Sequence, residues 1–192
     1  ITNASRRIKQ TEIDNCKKNG IKDITEVKIG YDGIAIANSK KGVNFHLSTR
    51  DLYLALAKDV PADINGKTVK PNPYKKWIEI NPTYPDLPIV VYGPPPTSGT
   101  RDALNELGVE KGCKTFPDRK ALKKENKKLY KAQCRSIRED GAYIEAGEND
   151  NLIIEKLKTN PHAVGVFGYS FLDQNRDAVK AATMNGVSPE FE

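Results

Sequence analysis

Three short apolar runs constrain this chain more than any other feature of it. They are Gly33-Ile34-Ala35-Ile36-Ala37, Ile89-Val90-Val91-Tyr92 and Val164-Gly165-Val166-Phe167-Gly168-Tyr169. Each is strand-sized, and a strand that is apolar at every position belongs in a sheet covered on both faces. Helical segments separate them. Ser48-Thr49-Arg50-Asp51 opens a leucine-rich helix that ends before Pro61. Arg101 to Gly108 is amphipathic and ends on glycine, and a helix over Asn149 to Lys158 is capped by Asn149 or Asp150 and stops before Pro161. Strands that alternate with helices give an α/β fold. No apolar run approaches the roughly 18 residues that span a bilayer.

Other segments read less sharply. Thr11 to Lys18 is a short helix with Thr11 as its cap and Ile13 and Cys16 on its inner face. Ile24 to Ile29 alternates like a strand and turns at Tyr31-Asp32-Gly33. Six prolines between Pro61 and Pro88 leave room only for irregular chain and a short strand at Trp77 to Ile80. Val179 to Met184 reads as a last strand.

Charge is uneven. The chain carries 31 Lys+Arg against 25 Asp+Glu, a net +6. Much of the excess lies between Lys111 and Arg138, around a helix expected from Asp118 to Ala132. A solvated helix face is the plain reading of that stretch; no zinc-finger spacing or RRM-like aromatic motif supports nucleic-acid binding. The three cysteines form no C-x-x-C pair, and His46 and His162 stand far apart, so no metal site is expected. Cys113 and Cys134 flank the basic segment, as a disulfide in an oxidising compartment or as two buried thiols. A start at Ile1 without a signal peptide, and an end at Ser188-Pro189-Glu190-Phe191-Glu192, suggest a piece of a longer protein.

The chemistry concentrates at Thr97-Ser98-Gly99-Thr100-Arg101-Asp102, directly after an apolar strand and a proline-stiffened loop. A helix that starts here presents unpaired backbone N–H groups and the positive end of its dipole. Gly99 permits close approach, Ser98 and Thr100 add hydroxyls, and Arg101 adds a guanidinium. The set suits phosphate, sulfate or a carboxylate. It is neither a Walker loop, for no lysine follows Gly99, nor a G-x-S-x-G nucleophile elbow.

A second small-polar cluster, Asn3-Ala4-Ser5-Arg6, pairs with the first, and Asp32-Gly33-Ile34-Ala35 lies between them. With Gly165-Val166-Phe167-Gly168-Tyr169, these motifs resemble the periplasmic phosphate-binding proteins of high-affinity phosphate ABC transporters. The resemblance implies a two-lobed, type II α/β binding protein, exported to the periplasm, monomeric and without a cofactor. It would hold inorganic phosphate in a cleft and deliver it to a permease in the inner membrane. The implied ligands are Ser5, Arg6, Ser98, Gly99, Thr100 and Arg101. Arg6 stands where many members have an aspartate that accepts the phosphate proton, and Pro94 where many have an arginine. Asp102 is then the candidate proton acceptor, while Asp32 reads as a turn residue. Residues 1–82 are expected in the first lobe, 83–176 in the second and 177–192 returning to the first. The crossings fall near Thr83 to Ile89 and Asn175 to Lys180, with Val90 to Phe171 forming one unit apart from residues 1–80. Export implies a Cys113–Cys134 disulfide, with Cys16 left over or paired to a cysteine outside this chain. The rival readings are another oxyanion or phosphorylated ligand on the same scaffold, a phosphate-ester enzyme, and a basic nucleic-acid module.

Overall fold

The computed structural model describes residue 4, residues 6–31 and residues 33–189. Contacts divide the chain into two units, Ile1–Asp32 and Gly33–Glu192. In the first, α1 (Gln10–Lys18) begins after Lys9 rather than at Thr11, because the Glu12 carboxylate turns back to accept the Lys9 N–H at 2.8 Å. No residue of α1 is fully buried; Ile13 and Cys16 are half-buried. The strand expected from Ile24 to Ile29 does not form. Alternation alone does not make a strand; its backbone needs a neighbouring ladder, and Val27 and Ile29 remain 73% and 93% exposed.

The second unit carries the sheet. Its elements run β1 (Ile34–Ser39), β2 (His46–Leu47), α2 (Thr49–Leu56), β3 (Asp59–Pro61), β4 (Val69–Pro71) and a 3₁₀ turn at Trp77–Glu79. Next come β5 (Val91–Gly93), α3 (Gly99–Ala103), a π-helical segment (Leu104–Val109) and α4 (Glu110–Cys113). They are followed by α5 (Pro117–Glu125), α6 (Lys127–Cys134), β6 (Tyr143–Glu145) and α7 (Asp150–Thr159). The last are β7 (Val164–Gly168), α8 (Tyr169–Gln174), β8 (Val179–Ala181) and β9 (Thr183–Met184). The main sheet has the order β6-β5-β7-β1-β8. β5 is parallel to both β6 and β7, whereas β1 is antiparallel to β7 and β8.

Both faces of this sheet are covered, as the apolar runs require. Ile36, Val91 and Val166 pack with Leu52, Leu56, Trp77 and Leu104 on one side. Ala35, Ala37 and Phe167 pack with Ile153, Leu157 and Leu172 on the other. The separation expected between residues 1–80 and Val90 to Phe171 is therefore corrected. β1 lies between β7 and β8, and one sheet runs through both regions. An apolar strand such as β1 must be covered and paired on both sides, and the strands able to do so lie late in the chain.

Three local expectations also change. Trp77–Glu79 is a 3₁₀ turn instead of a strand, because Glu79 accepts the Lys75 and Lys76 N–H groups at 2.5 and 3.0 Å. The single basic helix is two helices, since Asn126 leaves helical backbone and its side chain caps α6 through Leu129 N–H at 3.0 Å. The helix after the second apolar run does not stop at Gly108; it passes through the π-helical segment to Cys113. Cys113 and Cys134 form the disulfide, and Cys16 is free.

Candidate functional site

The site grows from strand direction. Because β5, β6 and β7 are parallel, their carboxyl ends share one edge of the sheet, and each is followed by a helix start. α3 starts at Gly99, α7 at Asp150 and α8 at Tyr169. Such an edge gathers unpaired N–H groups and helix-dipole positive charge at one place. The amino end of β1 arrives at the same edge, where Gly33 O accepts the Tyr169 N–H at 2.7 Å.

At the start of α3, Ser98 is extended and its hydroxyl accepts the Thr100 N–H at 3.2 Å. The Gly99 N–H has no acceptor among the described residues. Gly99 is exposed, and Ser98 and Thr100 are half-buried. The preceding loop is tightly held. Ser98 N–H donates to Pro95 O at 3.0 Å, while Pro94 O accepts both the Tyr143 hydroxyl at 2.8 Å and Arg101 Nη1 at 3.1 Å. Gly93 is needed for this, since a Cβ there would lie 2.2 Å from the Tyr143 hydroxyl oxygen.

Arg101 is 8% exposed, and its guanidinium lies 4.2 Å from the Tyr143 ring centroid and 3.9 Å from Glu145 Oε1. It thus sits beneath the loop as a brace and a desolvated positive charge. Its Nε is buried without an acceptor among the described residues. Burial pushes the Tyr143 hydroxyl pKa up, against the lowering effect of Arg101. Carboxylates also line this edge. Glu148 accepts the Thr97 hydroxyl, and Asp150 accepts the Gly168 N–H at 2.9 Å. Asp102 is exposed in the first turn of α3.

The expected ligands Ser98, Gly99, Thr100 and Arg101 are thus adjacent at one helix start. In the other unit, Arg6 forms a two-pronged pair with Glu12, at 2.6 and 3.0 Å. Hydrogen bonds from Arg6 and from the Lys9 N–H hold the Glu12 carboxyl down to about 2. Ser5 and Asp32 lie outside the described residues. The sequence reading missed Tyr143, Glu145, Glu148 and Asp150; recognising β6 as parallel to β5 would have placed them at this edge. Among the described residues, no cluster of His, Cys, Asp and Glu is arranged to hold a metal ion.

In open α/β sheets ligands bind outside the carboxyl ends of the strands, and a helix start placed there suits an anion. The chain matches the PBP superfamily domain over residues 1–191 and belongs to that superfamily, a group of solute-binding proteins rather than of enzymes. Protein SphX of Synechococcus elongatus is 28% identical over 94% of this chain and 43% of its own length. The phosphate-binding protein PstS of Staphylococcus saprophyticus is 29% identical over the same shares. This chain thus spans less than half the length of either relative. PstS of Borrelia burgdorferi shares the fold with a TM-score of 0.57 at 18% identity, covering 97% of this chain and 58% of that one. An ABC-type phosphate transport receptor of Vibrio cholerae does so with a TM-score of 0.54 at 17% identity, covering 94% and 64%.

Proposed function

We propose that this chain belongs to an extracytoplasmic receptor that captures inorganic phosphate and delivers it to an ABC transporter permease, without catalysing a reaction. The observation that carries the reading is the α3 start, where Ser98, Gly99 and Thr100 crown a helix whose first N–H has no acceptor among the described residues. The names of the relatives point to the same ligand. Arg101 adds its charge from beneath the loop, and Ser5 and Arg6 are the further ligands implied by the sequence motifs. A monomeric, exported protein fits the reading, as does the Cys113–Cys134 disulfide.

Phosphate is favoured over sulfate because carboxylates line the same edge. Phosphate keeps a proton at neutral pH, and Asp102 serves as its acceptor in this reading. Sulfate has no proton and would leave that carboxylate unpaired. The test is calorimetry on the full-length protein with phosphate, arsenate and sulfate. Saturable binding of phosphate and arsenate, with sulfate at least a hundredfold weaker, is the expected result. Equal binding of sulfate refutes the proton-acceptor assignment, and no binding of any of the three refutes the receptor reading.

A further inference from the structure

The α4–α6 region has a second, unused chemistry. Residues 110–135 hold ten basic and three acidic side chains, a net +7, so the rest of the chain sums to −1. Within the region the charges are sorted. Glu110 is 2% exposed and takes up Lys114 at 2.9 Å, Lys123 at 3.1 Å and Arg135, with the Tyr130 hydroxyl at 3.0 Å. Arg119 is also buried, donating to Lys67 O at 2.7 Å and to Gln133. The remaining lysines, Lys111, Lys120, Lys124, Lys127, Lys128 and Lys131, are exposed and make no ion pair with a described residue. Lys120 and Lys124 form one i,i+4 row on α5, and Lys127 and Lys131 another on α6. The disulfide and the Glu110 cluster fix this hairpin at the far end of the helical run Gly99–Cys113, roughly 20 Å along the axis from the anion site.

We propose that the α5–α6 hairpin is an electrostatic docking surface for an anionic lipid bilayer. The choice of partner follows from the chemistry of the face. Both arginines, the side chains that fork onto a fixed acceptor, are taken up by partners in the chain, Arg119 by Lys67 O and Gln133 and Arg135 by Glu106 and Glu110, and the outer face offers only flexible lysine ammonium groups. Such point charges suit a fluid array of headgroups that requires no register. The face has no exposed Trp, Tyr or Phe to anchor a protein interface or to stack on bases; Leu129, 42% exposed, is its only large exposed apolar side chain. The inference does not depend on the phosphate reading, because its measurement adds no inorganic phosphate and its variants leave Ser98, Gly99 and Thr100 unchanged.

The experiment is sedimentation of the 192-residue chain with vesicles of phosphatidylcholine alone, or of phosphatidylcholine with 30% phosphatidylglycerol, at low and high salt. Binding to the anionic vesicles only, lost at high salt, is expected. Replacing Lys120, Lys124, Lys127, Lys128 and Lys131 with Gln should weaken it at least a hundredfold. A control removing Lys17, Lys18, Lys22, Lys41 and Lys70 in the same way should change it less than threefold. Circular dichroism of both variants checks that they are folded. Absence of binding to anionic vesicles overturns the proposal. So does equal loss in the control, which would make net charge the cause, or tighter binding to duplex DNA than to the vesicles at equal salt.

Discussion

At the scale of single residues, two small side chains carry unequal burdens. The Ser98 hydroxyl orders the helix start by accepting the Thr100 N–H, and in the proposed function it also donates to the ligand. A charge-assisted hydrogen bond contributes about 1.5–3 kcal/mol, so Ser98→Ala should weaken phosphate binding by roughly tenfold or more. Arg6→Ala should weaken it further by removing a charge; calorimetry on folded variants of the full-length protein checks both. Gly112 serves packing alone. A Cβ there would lie 1.9 Å from Thr49 O and 2.6 Å from Tyr53 Cβ, so α2 and α4 touch through backbone. Gly112→Ala should therefore cost about 1–3 kcal/mol, read by urea denaturation, although alanine is the better helix former.

At the scale of elements, the α5–α6 hairpin is held by a covalent and an ionic fastening. Burial pushes the Glu110 carboxyl up, but hydrogen bonds from Lys114, Lys123 and Tyr130, with the Arg135 charge, outweigh this and hold it at about 2, below its ordinary 4.5. A depressed carboxylate pKa stabilises the fold above the unfolded value, and that contribution fades as pH falls from about 4.5 to 2. The chain should lose roughly 2–4 kcal/mol from this group over that window. Glu110→Gln should be less stable at pH 7 and show a flatter decline in melting temperature with acid. Cys113→Ser with Cys134→Ser should cost about 2–4 kcal/mol, read by denaturant unfolding. The Glu110 cluster should keep that variant folded. Elements with local punctuation were legible in the sequence: the Ser48 cap of α2, the Asn149 cap of α7 and the Ser98 start of α3. What was not legible depended on distant partners. Residues 24–29 alternate but have no ladder, and nothing local in Glu110 signals a burial that requires cations from three other positions. The residues Ser98 to Arg101 at the start of α3 were readable as a contiguous motif, whereas Glu145, Glu148 and Asp150 reach the same edge only through the pairing of β5 with β6.

At the scale of the whole molecule, the sheet order decides how function and folding meet. The anion-ready edge exists because three parallel strands end together, and β1, running the other way, delivers the chain to that edge at Gly33. The pairing of β1 with β7 has a further consequence, in time rather than in space. Ile36 faces Val166, 130 positions later, and Ser39 faces Val179, later still. Loop closure over such separations precedes any gain from pairing, so topologies of this kind fold slowly. A nascent chain must keep Ile34–Ser39 unpaired until almost all of the unit has emerged. A chain ending at Asn160 should therefore lack protected amides in Ile34–Ser39 by hydrogen exchange, even where α2 and its Ser48 cap have formed. The strand that brings the chain to this edge is thus synthesised early and secured last, so an apolar segment stays without its partners for most of synthesis.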